Sequence, residues 1–354
     1  MLYQTENQHG GDVYGGGITL DFSANTNPLG TPPGVLEAVR RGLPQLHRYP
    51  DPYCRQLVQA IAGHEQVPAS YILCGNGAAD LIYTYCAALR PRTAVELAPT
   101  FGEYGAGLAQ VGCRVERYFL HQAQNFDLDE RFLSFLEEKK PEVVFLCNPN
   151  NPTGRLIPLP LLEQILQYCA AQGARLFLDE CFLDLTEDGV SAKSLLAAHP
   201  ELLILKAFTK SYGMAGIRLG YCLCADSALL RRMASASQPW NVSSLAQSAG
   251  VAALAEQDFL RRTLALVRTE RRWLTDNLMA LGFWVCPSQA NYLLFRGPRG
   301  LREGLLRRGI AIRGCGNYNG LDDGWYRIAV RPHEENETLI TAIRQFCEEK
   351  SLWQ

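Results

Sequence analysis

The stretch LLILKAFTKSYGMAGIRLGYCLC, residues 202–224, decides the fold of this 354-residue chain. Its first apolar run ends abruptly at Lys210, a loop follows, and a second apolar run begins after Arg218. A lysine at the carboxyl end of a buried strand suits imine chemistry, because burial and a neighbouring cation lower its pKa and free the amine. The structural alternative is that Lys210 only extends its amine from the strand end towards solvent.

Two further motifs place polar residues directly after predicted strands. Val143–Cys147 is an apolar run, and the turn NPNNPTG that follows it contains Asn151. After a stretch with the periodicity of an amphipathic helix, another apolar run ends on Asp179. Strand, helix and strand in this order predict parallel neighbours joined by right-handed crossovers. Because ligands of such sheets lie outside the carboxyl ends of the strands, we expect Asn151, Asp179 and Lys210 to meet in one crevice.

The amino-terminal half adds three turns that could bind a ligand. Asn25 and Asn27 lie in the turn FSANTNPLG and can offer amide groups. The motif LCGNG ends a strand and opens a helix, so the backbone N–H groups of Gly77 and Ala78 can bind a phosphate. Phe101 follows another strand, where its ring can stack on a heteroaromatic ligand. Each of these features also has a structural explanation, as a turn or as core packing.

Composition excludes several classes of function. The net charge of -2 and the pI near 6.3 provide no basic surface for nucleic acid or an anionic membrane. No apolar run reaches the roughly 20 residues that span a bilayer. The twelve cysteines lack zinc-ligand spacing and no secretory signal opens the chain, so we expect reduced thiols, no metal and a cytoplasmic protein. The length exceeds that of one ordinary domain.

The motifs NPNNPTG, LDE and TK-x5-G-x-R, in this order and at these separations, resemble those of fold-type I pyridoxal-phosphate enzymes, and most closely the histidinol-phosphate aminotransferase subgroup. The resemblance covers nearly the whole chain. It implies an α/β fold, in which a large domain has a mainly parallel sheet flanked by helices and a smaller carboxyl-terminal domain is α+β. We expect an arm and packing segment at residues 1–48, the large cofactor-binding domain at 49–243 and the small domain at 244–354.

The resemblance also implies a site for pyridoxal 5'-phosphate. Lys210 would hold the cofactor as an imine, Asp179 would keep its ring nitrogen protonated, and Asn151 would donate to its phenolic oxygen. Tyr49 would reach the cofactor phosphate of a second subunit, so a homodimer with shared active sites is expected. The remaining cofactor contacts implied by the resemblance are Gly77, Ala78, Phe101, Thr209 and Arg218.

Two positions depart from the aminotransferase subgroup. Phe182 replaces a tyrosine that donates to the phenolic oxygen, and a phenylalanine cannot make this hydrogen bond. Ala207 lacks the hydroxyl that many relatives place three residues before the lysine. Phosphate binding is then expected to depend on Thr209, Arg218 and the loop amides of Gly77 and Ala78.

The same Phe182, with the motifs HGG, FSANTNPLG, RYPD and IRGCGNYNGLD, resembles decarboxylases of phosphorylated amino acids in cobalamin biosynthesis. This resemblance implies that His9 and Arg313 hold the substrate phosphate. It implies that Arg327 holds the α-carboxylate, to which a planar guanidinium can donate two hydrogen bonds. The expected substrate contacts are completed by Asn25 and Asn27.

The expected reaction converts L-threonine O-3-phosphate into (R)-1-aminopropan-2-yl phosphate and carbon dioxide. L-Serine O-phosphate is an alternative substrate, because one methyl group provides only about 1–3 kcal/mol of discrimination. A histidinol-phosphate aminotransferase is the alternative enzyme, and it would require 2-oxoglutarate as partner substrate. A transcription regulator that retains the lysine would need a DNA-binding module, for which the residues before the first motif, at about residue 20, leave no room.

Overall fold

The computed structural model describes residues 9–351, and its strands form one large sheet and two smaller ones. In chain order the strands are β1 Leu20–Asp21, β2 Ile72–Gly75, β3 Thr93–Ala98, β4 Arg114–Phe119, β5 Val143–Cys147, β6 Arg175–Asp179, β7 Leu202–Ala207, β8 Gly220–Cys224, β9 Trp284–Val285, β10 Tyr292–Arg296, β11 Ile310–Ala311, β12 Arg313–Gly314 and β13 Trp325–Ala329.

The helices are distributed along the whole of the described chain. In chain order they are α1 Pro33–Gly42, α2 Arg55–Glu65, α3 Ala78–Leu89, α4 Glu103–Gln110, α5 Arg131–Lys139, α6 Leu159–Gln172, α7 Phe208–Ser211, α8 Ser227–Ala236, α9 Ser244–Leu254, α10 Gln257–Ala280, α11 Leu301–Leu306 and α12 His333–Ser351.

The large sheet has seven strands in the order β2-β8-β7-β6-β5-β3-β4. Strands β7, β6, β5, β3 and β4 run parallel to one another, whereas β8 runs antiparallel to both β7 and β2. Every residue of β5 and β7 is buried, as expected for strands whose two faces are both covered. The predicted α/β fold with a mainly parallel sheet is therefore confirmed.

Alternate residues of each central strand enter two different cores. Val144 and Leu146 of β5 belong to a core that also contains buried residues of α2, α5, α6 and α9. Val143 and Phe145 face the opposite side and pack with buried residues of α3, α4 and α8. The sheet is thus flanked by helices on both faces, and its carboxyl strand ends form an edge that the helices leave accessible.

The carboxyl-terminal part of the chain forms a four-stranded antiparallel sheet in the order β12-β13-β10-β9. It packs on α10 and α12 around a third apolar core. Strand β1 pairs in parallel with β11, so the segment before α1 is tied to this part of the chain. Within residues 9–351, no helix is long and apolar enough to cross a membrane.

Residues 244–280 form two helices, α9 and α10, because the backbone leaves helical geometry at Glu256. Helix α9 buries Ala246, Ala249 and Ala253 near α1 and α2, whereas α10 packs with the small sheet. Strands β11 and β12 follow each other closely in the chain but belong to different sheets. The domain boundaries at residues 48 and 243 stay a prediction.

Candidate active site

The carboxyl ends of β5, β6 and β7 open into a cavity of about 380 Å³. Asn151, Asp179 and Lys210 all line this cavity, although their motifs are far apart in the sequence. Each of the three follows or ends one of three adjacent strands, which explains why they meet. The crevice expected from the sequence is therefore present, and it contains the residues predicted to meet there.

Lys210 is the third residue of α7, a single turn that begins directly after β7. Burial lowers the pKa of its amine to about 8, and the positive charges of Arg327 and Arg218 act in the same direction. The Nζ atom lies 5.3 Å from the centre of the Phe182 ring. This amine therefore loses its proton far more readily than that of an ordinary lysine, as a nucleophilic lysine requires.

Asp179 ends β6 and is 5% exposed. Burial raises its pKa, while hydrogen bonds from the backbone N–H of Cys181 and from the hydroxyl of Tyr104 favour the charged form. The Tyr104 hydroxyl lies 2.7 Å from Oδ2, and its side chain is completely buried. Tyr104 was missed by the sequence analysis, because nothing in the motif PTFGEY indicates that the tyrosine of α4 reaches the end of β6.

One end of the cavity has the features of a phosphate site. Helix α3 begins after Gly77, whose φ is 89°. A Cβ atom at Gly77 would lie 2.8 Å from the Nη2 atom of Arg218, so a glycine is required for this close approach. Ala78, Thr209 and Arg218 line the cavity here. Helix N–H groups together with a guanidinium are a suitable environment for a doubly charged anion.

Arg327 lies on β13, lines the cavity and is 6% exposed. Its Nη1 atom donates a hydrogen bond to the side-chain oxygen of Asn151, and its Nη2 atom donates to the carbonyl oxygen of Ser23 at 2.9 Å. Its Nε atom has no hydrogen-bond partner among the described residues. Because Arg327 occupies the oxygen of Asn151, the amide NH₂ group of Asn151 is left to donate elsewhere.

A second group of polar residues lines the cavity around Phe101. The Nε2 atom of His9 lies 2.7 Å from Oε1 of Glu103, and the hydroxyl of Tyr83 donates to Oε2 at 2.6 Å. The hydrogen bond with His9 lowers the pKa of Glu103. Arg313 also lines the cavity and donates to the side chain of Asn317 at 2.7 Å. Sequence reasoning missed Glu103, because a glutamate in the first turn of α4 is an ordinary feature of helix starts.

Asn25, Asn27 and Tyr49 have different positions. Asn25 lines the cavity, and both polar atoms of its side chain lack partners among the described residues. Asn27 is fully buried and is not part of the cavity lining, because its amide donates to the carbonyl oxygen of Ser211 and to Thr263. Tyr49 is 80% exposed and lies against Trp240, outside the cavity. Asn27 and Tyr49 thus lie away from the cavity within this chain, whereas Gly77 is not part of the cavity lining but lies beside Arg218, which is.

The site can hold the cofactor that the sequence predicts. A buried carboxylate at Asp179, a nucleophilic amine at Lys210 and a phosphate cradle at Arg218 suit its ring nitrogen, its aldehyde and its phosphate. Phe101 provides an aromatic surface in the same cavity. Among residues 9–351, no group of three or more His, Cys, Asp or Glu side chains could hold a metal ion.

The parallel sheet with a lysine, an aspartate and arginines at its carboxyl edge defines the class of fold-type I enzymes. Residues 18–343 match the family described as Aminotransferase class I and II. The chain belongs to this family.

Comparison with individual proteins gives two kinds of relatives. The chain is 41% identical to the threonine-phosphate decarboxylase of Salmonella typhimurium over 92% of its own length and 90% of the relative. The L-threonine-O-3-phosphate decarboxylase of Porphyromonas gingivalis superposes with a TM-score of 0.82 at 26% identity, covering 93% of this chain and 99% of that one. The histidinol-phosphate aminotransferase of Clostridium acetobutylicum superposes with a TM-score of 0.86 at 28% identity, covering 92% and 98%.

Proposed function

We propose that this chain is a pyridoxal-phosphate-dependent decarboxylase that converts L-threonine O-3-phosphate into (R)-1-aminopropan-2-yl phosphate and carbon dioxide in cobalamin biosynthesis. Its family uses this cofactor, and a relative with 41% identity carries the corresponding name. The observation that carries the proposal is the set of charges in the cavity. Arg218, Arg327 and Arg313 match three anionic groups, which are a cofactor phosphate, a substrate carboxylate and a substrate phosphate.

Lys210 would hold the cofactor through its amine, since its low pKa leaves this amine available without a strong base. When bound, the cofactor supplies an electron sink for the electron pair that remains after carbon dioxide leaves. Asp179 keeps the proton on the ring nitrogen, and Tyr104 and the N–H of Cys181 hold this carboxylate in place.

Arg327 orients the substrate carboxylate. Its guanidinium is fixed by Asn151 and by the carbonyl of Ser23, so the remaining donors have a defined direction. Arg327 would thereby set the direction of the bond to the carboxylate relative to the bound cofactor, which would favour loss of carbon dioxide over loss of the α-proton. His9 and Arg313 bind the remote phosphate, and the binding energy of this group maintains the orientation.

The proposal includes a homodimer. Tyr49 lies at a surface that also exposes several large apolar side chains, which favours contact with a second copy. In such a dimer, Tyr49 would reach the cofactor phosphate of the partner chain. Sedimentation of the wild type and of a Tyr49→Ser variant would test this assembly. Exposed apolar side chains close to Tyr49 in the sequence are Leu43, Leu46 and Tyr53, and the ring of Trp240, also exposed, lies against it. The cytoplasmic location stays a prediction.

Carbon dioxide release tests the reaction. The cofactor-loaded protein is incubated with L-threonine O-3-phosphate without a keto acid, and L-serine O-phosphate is measured in parallel. Release in equal amounts with the phosphorylated amine supports decarboxylation, and the ratio of the two rates identifies the preferred substrate. If neither compound releases carbon dioxide but histidinol phosphate and 2-oxoglutarate yield glutamate, the chain is an aminotransferase and the proposal is wrong.

A further inference from the structure

Strand β7 contains a buried lysine that the proposed reaction does not use. Lys206 is 5% exposed within an otherwise apolar strand. A buried ammonium group is unfavourable unless it is paired and hydrogen-bonded. Its Nζ atom lies 2.8 Å from Oδ1 of Asp184 and 3.3 Å from Oε1 of Glu65. Burial alone favours the neutral amine, but these carboxylates outweigh it and raise the pKa of Lys206.

The ion pairs of Lys206 belong to a larger network beneath the cavity. Glu65 of α2 is 2% exposed and also accepts hydrogen bonds from Tyr221 and, at 2.9 Å, from Lys193. The charge of Glu180 also acts to raise the pKa of Lys206, and Glu180 accepts a hydrogen bond of 2.6 Å from the hydroxyl of Ser191. The network therefore fixes α2, β7, β8 and the loop that follows β6 relative to one another.

Asp184 connects this network to the turn that carries Lys210. Its second oxygen, Oδ2, accepts a hydrogen bond of 2.9 Å from the hydroxyl of Ser211. Ser211 follows Lys210 directly, ends α7 and is 1% exposed. On its other side, the carbonyl oxygen of Ser211 accepts a hydrogen bond of 2.7 Å from Asn27. The residue after the lysine is thus held through its side chain and through its backbone.

We propose that Ser211 and Asp184 are positioning residues that fix the backbone of Lys210, with Lys206 holding Asp184 in place. The inference rests on the proposed function only for the role of Lys210 itself. A single helical turn has too few internal hydrogen bonds to define its own geometry. The direction of the Lys210 side chain therefore depends on the external hydrogen bonds of Ser211. The role also explains why Asn27 points away from the cavity.

A matched pair of variants tests this role. Ser211→Ala removes the hydroxyl that links Asp184 to the turn of Lys210. Ser191→Ala is the control, since it also removes one hydroxyl donated to a carboxylate of the network, but at Glu180, away from that turn. Ser211→Cys, with a thiol that is only a weak donor, is expected to lie between Ser211→Ala and the wild type.

The first measurement is made on the protein without cofactor. Lys210 is labelled by reductive methylation across a pH series, and its modification is quantified by mass spectrometry. The groups that act on its amine are Arg327, Arg218, Cys181 and Asp179, and all four are unchanged in these variants. In Ser211→Ala the labelling midpoint is expected to rise from about 8 towards the value of an exposed lysine. Ser191→Ala is expected to keep the wild-type midpoint.

The second measurement uses the cofactor-loaded protein and L-threonine O-3-phosphate. Ser211→Ala is expected to lower kcat by roughly ten- to a hundredfold with little change in KM. The substitution would shift the position of Lys210 but leave the residues that bind the substrate in place. If Ser211→Ala and Ser191→Ala give the same midpoint and the same kcat, the positioning role is wrong. If the wild type releases no carbon dioxide, the proposed function fails, whereas the labelling midpoints still decide the role of Ser211.

Discussion

The hydroxyl of Tyr104 donates a hydrogen bond of 2.7 Å to Oδ2 of Asp179, and both side chains are buried at the base of the cavity. Burial raises the pKa of Asp179, and this hydrogen bond opposes the increase by favouring the charged carboxylate. The proposed role of Asp179 requires that charge, because a neutral carboxyl group cannot keep the proton on a pyridine nitrogen. Tyr104 is thus coupled to the reaction although it does not line the cavity.

Tyr104→Phe is expected to raise the pKa of Asp179 further. A hydrogen bond to a charged group is worth about 1.5–3 kcal/mol, so the acidic limb of the kcat profile should move up by roughly one to two pH units. The limb moves to higher pH because a carboxyl group with a raised pKa is protonated, and so loses its charge, at a higher pH. The pH dependence of kcat for L-threonine O-3-phosphate measures this shift.

Tyr85→Phe is the matched control for that variant. Tyr85 is as deeply buried as Tyr104, but its hydroxyl has no partner within the described part of the chain. Its removal is expected to leave the pH profile unchanged and to stabilise the fold by about 1–3 kcal/mol. Equal shifts of the profile in both variants would show that a general disturbance of the core, and not the hydrogen bond to Asp179, is responsible.

Lys210 is expected to titrate far below an ordinary lysine. Burial and Arg327 lower its pKa to about 8, so its amine in the cofactor-free protein should react with aldehydes at half-maximal rate near that pH. Because the unfolded chain holds this proton more tightly, the free energy of unfolding should increase as the pH rises from about 8 towards the ordinary lysine value. Mass spectrometry of Lys210 after borohydride reduction provides the measurement.

Lys210→Ala is expected to abolish the visible absorption band of the cofactor-loaded protein and its reduction by borohydride. Lys139→Ala changes a lysine of α5 that pairs with Glu138, and it should retain both properties. A borohydride-reducible chromophore that survives in Lys210→Ala would remove the central residue of the proposed site.

The fold and the centre of the site could be predicted because the relevant signals are local. Uninterrupted apolar runs mark strands that are buried on both faces, and the polar residues directly after them mark the edge where ligands bind. Asn151, Asp179 and Lys210 each have this position in their own motif. Their meeting then follows from the parallel arrangement of the strands, which needs no knowledge of side-chain directions.

The supporting residues could not be predicted, because their roles depend on tertiary packing. Tyr104 and Asp179 are 75 residues apart, and only the position of α4 over the sheet brings them into contact. Asn27 has the composition of a ligand-binding turn, but its amide is used by Ser211, which lies 184 residues away. No local periodicity distinguishes an amide that faces a cavity from one that holds a turn.

Arg327→Lys is expected to weaken catalysis although it keeps the positive charge. A lysine cannot reproduce the geometry with which Arg327 donates to Asn151 and Ser23 and presents further donors to a carboxylate. The loss of one charge-assisted hydrogen bond corresponds to about 1.5–3 kcal/mol, which is a decrease in kcat/KM of roughly ten- to a hundredfold. Arg296→Lys, at an exposed pair with Asp322, should have no effect. A normal kcat/KM in Arg327→Lys would contradict the carboxylate role.

Glu103→Gln tests whether the carboxylate near Phe101 supports phosphate binding. Glu103 accepts a hydrogen bond from Tyr83 and contacts His9, so it holds the His9 ring in a fixed position. Removing its charge is expected to raise KM for L-threonine O-3-phosphate about three- to tenfold, with little effect on phosphate-free L-threonine.

A decrease in KM in Glu103→Gln would contradict the proposed support of His9. If the main effect of Glu103 were repulsion of the substrate phosphate, Glu103→Gln would lower KM for the phosphorylated substrate, and the support of His9 would be refuted. Glu138→Gln changes an exposed glutamate of α5 by the same substitution and should leave KM unaltered. Arg313→Ala should raise KM for the phosphorylated substrate more than Glu103→Gln does. Arg313 would contact the phosphate directly, whereas Glu103 acts only through His9.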